Sequence, residues 1–460
     1  MHWTYQYALL SVGDMTLALE KTEKLRHGDP GIRRVRLGLF AAALATYALL
    51  YTPQPLLPLI SSGFHVSPAA ASLAMSAGTG ALALAVIPVS SLSEVYGRRK
   101  IMTISAITAG ALGLVAPLSP SLSVLIGIRI VQGVALAGLP ATAMAYLAEE
   151  VEQASLGRVM GLYIAGNAIG GLSGRIIAGA LASSGGWRVA TAGVSFVSFA
   201  CAIALAFLLP KSRFFTPAPL RLRTLGATLR QNLADTALLR LYLIGFALMG
   251  AFVTVYNYLT FRVSGPPFSL PTAVAGALFT VYLTGTYSSS IAGRLSDRLG
   301  RYPVLCVSVV VMAAGALLTL PTSLVFVVGG LIVLTVGFFA AHSVASGWVG
   351  GRARVAPAQA SALYLCLYYV GSSVAGSAGG VFYSSGGWPS TVLFVTVLLA
   401  VALASALTLR RALRRLAFLV SVEPLVLDKL EQCRLDALHA RDLVQRQVAM
   451  FPSRLQDHRS

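Results

Sequence analysis

Runs of roughly twenty apolar residues recur along the whole chain, divided by short polar stretches, and each is long enough to cross a bilayer core as a helix. They fall at 36–59, 69–92, 100–118, 121–148, 157–184 and 187–210, then at 240–263, 271–292, 302–320, 324–349, 358–383 and 387–409. Within each run the apolar positions are continuous and do not alternate, which excludes the strands of a barrel. Lipid offers the backbone no partner, so each run must close its hydrogen bonds internally. The pattern therefore predicts an all-α membrane protein with twelve transmembrane helices. It divides the chain into an N-terminal tail (1–35), a six-helix half (36–210), a polar link (211–239), a second six-helix half (240–409) and a C-terminal tail (410–460).

Two repeats relate the halves. The pentapeptide SSGGW occurs at Ser183–Trp187 and again at Ser384–Trp388, an offset of 201. The stretches SSLSEVYGRR (Ser90–Arg99) and GRLSDRLGRY (Gly293–Tyr302) align at an offset of 203, which pairs Glu94 with Asp297, Gly97 with Gly300 and Arg98 with Arg301. The chain thus reads as a duplicated six-helix unit, pseudo-symmetric about its centre. Gly-Gly supplies the positive-φ turn of a tight helix connection. Trp187 and Trp388, beside that turn, are expected to be aromatic anchors at the membrane interface.

Composition sharpens this picture through its charge deficit. Hydrophobic residues make up 56% of the chain and charged ones 11%, with mean hydropathy +0.76, whereas soluble domains are about a quarter charged. The net charge of +19 and pI of 10.2 would suggest nucleic acid in a soluble protein. Its placement points elsewhere. Lys21, Lys24, Arg26, Arg33, Arg34 and Arg36 precede the first span, Arg98, Arg99 and Lys100 follow the second, and the 211–239 link is basic. The loops of the other side carry only Arg188 and Arg262. By the positive-inside rule both termini are expected in the cytoplasm, with no nucleic-acid partner. The charges near the N-terminus follow the short apolar stretch there and do not precede it, so the first span is expected to act as its own insertion signal. The four cysteines are scattered, so neither a metal site nor a disulfide framework is expected.

The motifs carry a family resemblance. GRLSDRLGR resembles the loop signature of the major facilitator superfamily; the first-half copy departs from it at Ser90, Glu94 and Val95. RIVQGVALAG (Arg129–Gly138) resembles that superfamily's fourth-span signature, and GLYIAGNAIGGLSGRIIAG (Gly161–Gly179) its fifth-span antiporter signature, with Arg175 in place of a proline and Ala178 in place of a glycine. From about residue 33 to 409 the chain is similar to the arabinose-efflux-permease-like transporters of the bacterial inner membrane. The resemblance implies substrate bound between the halves near the midplane. It also implies a gating role for Glu94, Gly97, Arg98, Gly293, Asp297, Arg298, Gly300 and Arg301, whose charge pairs would hold the cytoplasmic side shut in the outward-open state.

Buried charge marks the candidate chemistry. Arg129 and Arg175 lie well inside their spans, each about 12–13 Å from the same side at 1.5 Å per residue. An embedded charge is costly and usually faces a cavity, although either arginine could instead tie down helix carbonyls. No Asp or Glu lies deep in a span, which leaves His342 as the embedded group able to carry a proton. Tyr47 and Tyr51 share one helix face, as do Tyr364 and Tyr368. With Asn167, Tyr256, Asn257 and Tyr282 they outline a pocket. The glycines of the fifth span suit close helix packing or rocking between the halves. The tail begins with Arg410, Arg411, Arg414 and Arg415, suited to anionic lipid headgroups. The expected activity is secondary transport by a monomer without cofactor, namely proton-coupled efflux of a small organic molecule. Uptake or exchange of an anionic metabolite is the alternative, and a membrane-bound enzyme or receptor a further one. An unneutralised arginine pair favours anionic or zwitterionic substrates.

Overall fold

The computed structural model describes residues 24–26, 28–217, 222–353 and 356–449, and of 222–225, 410–431, 433–436 and 447–449 the backbone only. One compact unit extends to Ala406 and holds both halves. Its first half comprises α1 (Pro30–Gly63), α2 (Pro68–Tyr96), α3 (Arg98–Leu118), α4 (Leu122–Glu150), α5 (153–186) and α6 (187–208). A short link helix, Leu222–Ala234, leads to the second half. There α7 (Thr236–Ser264), α8 (272–299), α9 (Arg301–Leu318), α10 (Leu324–Arg352), α11 (357–387) and α12 (388–409) follow. These are the twelve expected helices. α1 starts at Pro30, six residues before the expected limit, because proline is favoured in the first helical turn. Arg33, Arg34 and Arg36 therefore sit on the helix and not in a tail.

Both repeats are repeats of conformation. Gly97 and Gly300 close the α2–α3 and α8–α9 turns at φ 98° and 87°. Gly186 and Gly387, the second glycine of each SSGGW copy, break the helices at φ 70° and 61°. Only glycine adopts such angles freely. The outside of the bundle is apolar, with Leu118, Phe207 and Val325 more than three-quarters exposed, as a lipid-facing surface requires. Below, the end carrying Gly97 and Gly300 is called the basic end, and the end carrying Gly186 and Gly387 the tryptophan end.

The tryptophans differ from the expectation. Trp187 and Trp388 are each only 5% exposed. Arg188 stacks on Trp187 at 4.5 Å and donates to the carbonyls of Pro117 and Ser119. Arg262 stacks on Trp388 at 4.9 Å and donates to those of Thr319, Leu320 and Pro321. Each Arg–Trp pair thus closes the unsatisfied carbonyls where α3 or α9 ends. These residues lock the loops of the tryptophan end and do not form a lipid-facing belt.

A strap closes the basic end of the first half. Leu25 exchanges backbone hydrogen bonds with Glu150 and Glu152, and its side chain is buried beside Tyr146 and Val159. Residues 407–460 form a second unit, helical through Ala449, in which Asp442 and Arg446 pair at 4.0 Å. The basic cluster Arg410, Arg411, Arg414 and Arg415 lies outside the described side chains.

Candidate functional site

Helix packing explains how the site residues meet. On α5, Gly166, Gly170 and Gly174 face α1 so closely that a Cβ at Gly170 would lie 2.3 Å from the Leu44 carbonyl. On α11, Gly371 meets α7 in the same way, against the Phe246 carbonyl. These glycines serve packing within each half. Nine residues beyond Gly170 and Gly371 the contact crosses between halves. A Cβ on Gly179 would lie 3.0 Å from Gly276 of α8, and one on Gly380 would lie 2.4 Å from Ala69 of α2. Gly179 and Gly380 are equivalent at the offset of 201. Two symmetric seams of small residues therefore join the halves toward the tryptophan end.

Between those seams lies Arg175, only 3% exposed. Its Nε donates to Gln54 Oε1 at 2.7 Å and its Nη1 to the Gly171 carbonyl at 2.6 Å. Its guanidinium lies 4.0 Å from the ring centre of Tyr51, 4.7 Å from Tyr282 and 5.2 Å from Phe279, so aromatic rings of both halves hold the cation. Gln54 Nε2 donates in turn to Asn257 Oδ1 at 2.9 Å. Gln54 and Asn257 are themselves equivalent at the offset of 203. Their mutual contact places this bond at the pseudo-twofold axis. Among the described residues Arg175 Nη2 makes no hydrogen bond, and buried Asn257 Nδ2 has no acceptor. Two donors at the boundary, both on residues bonded to Gln54, thus lack an acceptor among the described residues.

Arg129 is placed differently. It reaches into its own half, where Nε donates to the Ala74 carbonyl (2.9 Å), Nη1 to Leu49 (3.0 Å) and Nη2 to Leu50 (2.8 Å). Nη1 also donates to Gln132, whose Nε2 donates to Ala109 of α3. Pro53 lacks an N–H, so the Leu49 carbonyl loses its helical donor and Arg129 supplies one. Arg129 and Gln132 thereby tie α1, α2, α3 and α4 together, beside an enclosed cavity of about 20 Å³, room for about one water. Depth in the sequence put the two arginines on a par. The structure gives one to helix carbonyls and the other to the boundary.

His342 lies on α10 with Nδ1 3.0 Å from the Tyr364 hydroxyl and its ring 4.7 Å from Tyr368 and 5.9 Å from Phe338. Tyr369, next along α11, reaches Tyr47 of α1 at 3.4 Å, and Tyr47 stacks on Tyr51. Phe338 stacks on Phe252, which contacts Tyr256 and Tyr282. A continuous aromatic lining therefore runs from Arg175 to His342 and joins the two halves. Asn167 is half-buried on α5, close to the Tyr163 side chain, and its Oδ1 makes no well-formed hydrogen bond among the described residues. Gln54, Tyr369, Phe252, Phe279 and Phe338 belong to this set but were not singled out from sequence. The i,i+4 spacing of Phe252 with Tyr256 and of Phe338 with His342 was the signal available for two of them.

At the basic end the gating residues pair within halves. Arg98 bonds Glu149 at 3.2 Å, Glu94 at 3.8 Å and Ser93 at 2.6 Å. In the second half Arg352 pairs with Asp235 at 3.1 Å. Burial opposes the charge of Asp235, but the amides of Ala237 and Leu238 and the Arg352 guanidinium outweigh it and hold its carboxyl below the usual aspartate range. Asp297 and Arg298 are exposed, and among the described residues Asp297 has no ion-pair partner. Gly293 is open to its surroundings. The latch that the resemblance implies for Asp297 is therefore not engaged in this structure, in which the halves meet toward the tryptophan end.

The family model of the Major Facilitator Superfamily matches residues 39–282 and 267–424. The chain is 45% identical over 379 residues to an uncharacterized MFS-type transporter, YybF, of Bacillus subtilis (strain 168), covering 82% of this chain and 94% of that protein. It is 42% identical over 389 residues to the inner membrane transport protein YnfM of Escherichia coli (strain K12), covering 85% and 93%. Among solved structures it is similar to a bacterial homologue of the human lysosomal transporter Spinster in an inward-facing, unoccupied conformation. That likeness has a TM-score of 0.70 at 16% identity, over 84% of this chain and 98% of the other, and it shows a shared fold.

Proposed function

The chain belongs to the Major Facilitator Superfamily, and on that premise we propose that it carries a small organic anion or zwitterion between its halves by alternating access. The observation that carries the reading is Arg175, a buried cation with a spare donor at the boundary, beside the unpaired amide of Asn257. A substrate carboxylate would accept from both, and its organic part would lie on the aromatic lining. Arginine suits this role because Gln54 and Gly171 fix its planar group while Nη2 remains to make a charge-assisted hydrogen bond. Proton-driven export follows from the resemblance to efflux permeases, with His342 as the embedded imidazole able to carry a proton. The basic end faces the cytoplasm of a bacterium, across its inner membrane.

Transport into reconstituted vesicles tests this. Labelled organic anions are expected to move faster than organic cations of equal size. Arg175→Lys should raise the apparent KM about tenfold while leaving abundance unchanged, as loss of the oriented Nη2 hydrogen bond implies. Cation transport that survives Arg175→Gln intact would overturn the substrate class. His342→Gln keeps polarity and removes titration, so it should abolish acceleration by an imposed pH gradient. The lack of any acid deep in a span supports a second reading, anion exchange without protons. Under that reading the pH gradient has no effect on the wild type either.

A further inference from the structure

We propose that the basic end of the second half holds an anionic phospholipid, with its acyl chain in a groove between α8 and α9. The groove lies away from the substrate boundary. α8 and α9 each pack on α10 far more extensively than on each other, which leaves a cleft of about 570 Å³ floored by α10. Tyr287, Ile291, Leu295 and Leu299 of α8 line it on one side, with Pro303 of α9 opposite and Ile332 beneath. Tyr287 is 75% exposed and Ile291 55%, so the wall faces outward along a membrane-spanning helix. Only hydroxyls interrupt the apolar lining, at Thr284, Tyr287, Ser288 and Ser308. A hydrocarbon chain is the occupant this chemistry accepts.

The headgroup follows from charge at the closed end. The groove stops at the Gly300 turn, where Arg294, Arg298 and Arg301 are all exposed. Among the described residues none of the three has an ion-pair partner. Arg301 lies with Nη1 against Gly351, so close that a Cβ there would sit 2.9 Å away. The neighbouring Arg352 is already bonded to Asp235. Asp297 is the remaining carboxylate of this corner, which leaves a positive excess.

The first half shows what a satisfied version of this corner looks like. Arg98, equivalent to Arg301, is neutralised by Glu94 and Glu149. The position of Glu149 is occupied by Arg352 in the second half, and that of Val95 by Arg298. Tyr96 and Lys100 meet at 6.0 Å in the first half; their equivalents, Leu299 and Pro303, line the open groove. The second half thus has arginines in place of one acid, Glu149, and one apolar residue, Val95, at the end of an apolar cleft. A lipid phosphate supplies the missing charge, and juxtamembrane arginines each favour anionic over neutral lipid by about fivefold.

Quenching by brominated lipids in nanodiscs tests the proposal on the full chain. Tyr287→Trp places an indole on the groove wall. Phosphatidylglycerol brominated on its acyl chains should quench that indole more strongly than brominated phosphatidylcholine at equal mole fraction. Arg298→Gln/Arg301→Gln should remove the difference, and Arg298→Lys/Arg301→Lys should keep most of it. Ala340→Phe, which narrows the groove floor, should weaken quenching by both lipids. Equal quenching by the two lipids, or a preference that survives loss of both arginines, would overturn the site. Quenching that falls as protein is crowded would also overturn it, by assigning the groove to a second copy of the chain.

Discussion

Replacing Arg129 by glutamine separates the roles of the two embedded arginines. The substitution removes the Arg129 donor to the Leu49 carbonyl, which Pro53 cannot serve, and leaves that acceptor buried. An unsatisfied buried carbonyl costs about 1–3 kcal/mol, and hydrogen bonds from a charged donor are worth about 1.5–3 kcal/mol each. The bonds to Ala74 and Leu50 are lost as well. Release of the buried charge offsets part of this. A net loss of about 3 kcal/mol follows, roughly a 150-fold fall in the ratio of folded to unfolded protein. Denaturation of purified protein in detergent, followed by circular dichroism, should show that destabilisation, while transport per folded molecule stays near wild type. Arg175→Gln should do the reverse, with stability nearly kept and transport lost. Arg129→Gln protein that is as stable as wild type yet inactive would refute the assignment and return Arg129 to the substrate.

Hydropathy and internal repetition made the fold legible before any coordinates. Twelve continuous apolar runs admit one kind of spanning element, and two motifs at nearly one offset admit one arrangement of halves. The Gly-Gly turns were legible too, since Gly-Gly before Trp predicts the positive φ found at Gly186 and Gly387. What a side chain touches was much less legible. Arg129 and Arg175 have equal depth in sequence, and only the third dimension shows that α1, broken by Pro53, presents carbonyls to one of them. Gln54 gave no signal, being a neutral residue between two prolines, yet it joins the halves through Asn257. Trp187 and Trp388 sit where belt tryptophans belong, but Arg188 and Arg262 hold them against loop carbonyls. Charge at the basic end misled for a related reason. Asp297 matches the family motif, whereas partner choice depends on the far ends of α4 and α10, where Glu149 and Arg352 have opposite sign at equivalent positions.

Cysteines at Ser184 and Ser385, both exposed at the tryptophan end, should react with an impermeant thiol reagent in intact cells, and one at Gly226 in the link helix should not. The opposite pattern would invert the orientation. Asp235, whose carboxyl is held below the usual aspartate range by the Ala237 amide and Arg352, contributes stability at neutral pH that is lost as pH falls through its folded value. Thermal unfolding of wild type should therefore lose an increment in strong acid that Asp235→Asn lacks, and identical pH profiles would remove that contribution. Gly380 tests how the halves separate. A Cβ there meets the Ala69 backbone of α2 at 2.4 Å, a conflict that movement between α11 and α2 relieves, and the Tyr258 hydroxyl of α7 at 2.5 Å, the far end of a side chain within the same half. Overpacking of this kind costs about 1–3 kcal/mol, and the share due to Ala69 falls on the state in which the tryptophan end is closed. Gly380→Ala should therefore shift the population toward opening at that end by about 5–150-fold. Ser373 reports the shift, because its hydroxyl bonds the Ser76 carbonyl behind the seam. In a cysteine-free background, a cysteine at Ser373 should react with reagent applied from the tryptophan end many times faster when Gly380→Ala is present. Gly371→Ala, which conflicts with α7 inside one half, should lower stability without that acceleration. Equal reaction rates with and without Gly380→Ala would mean that the glycine seam does not close the path, and the closure would then rest on Arg175, Gln54 and Asn257 alone.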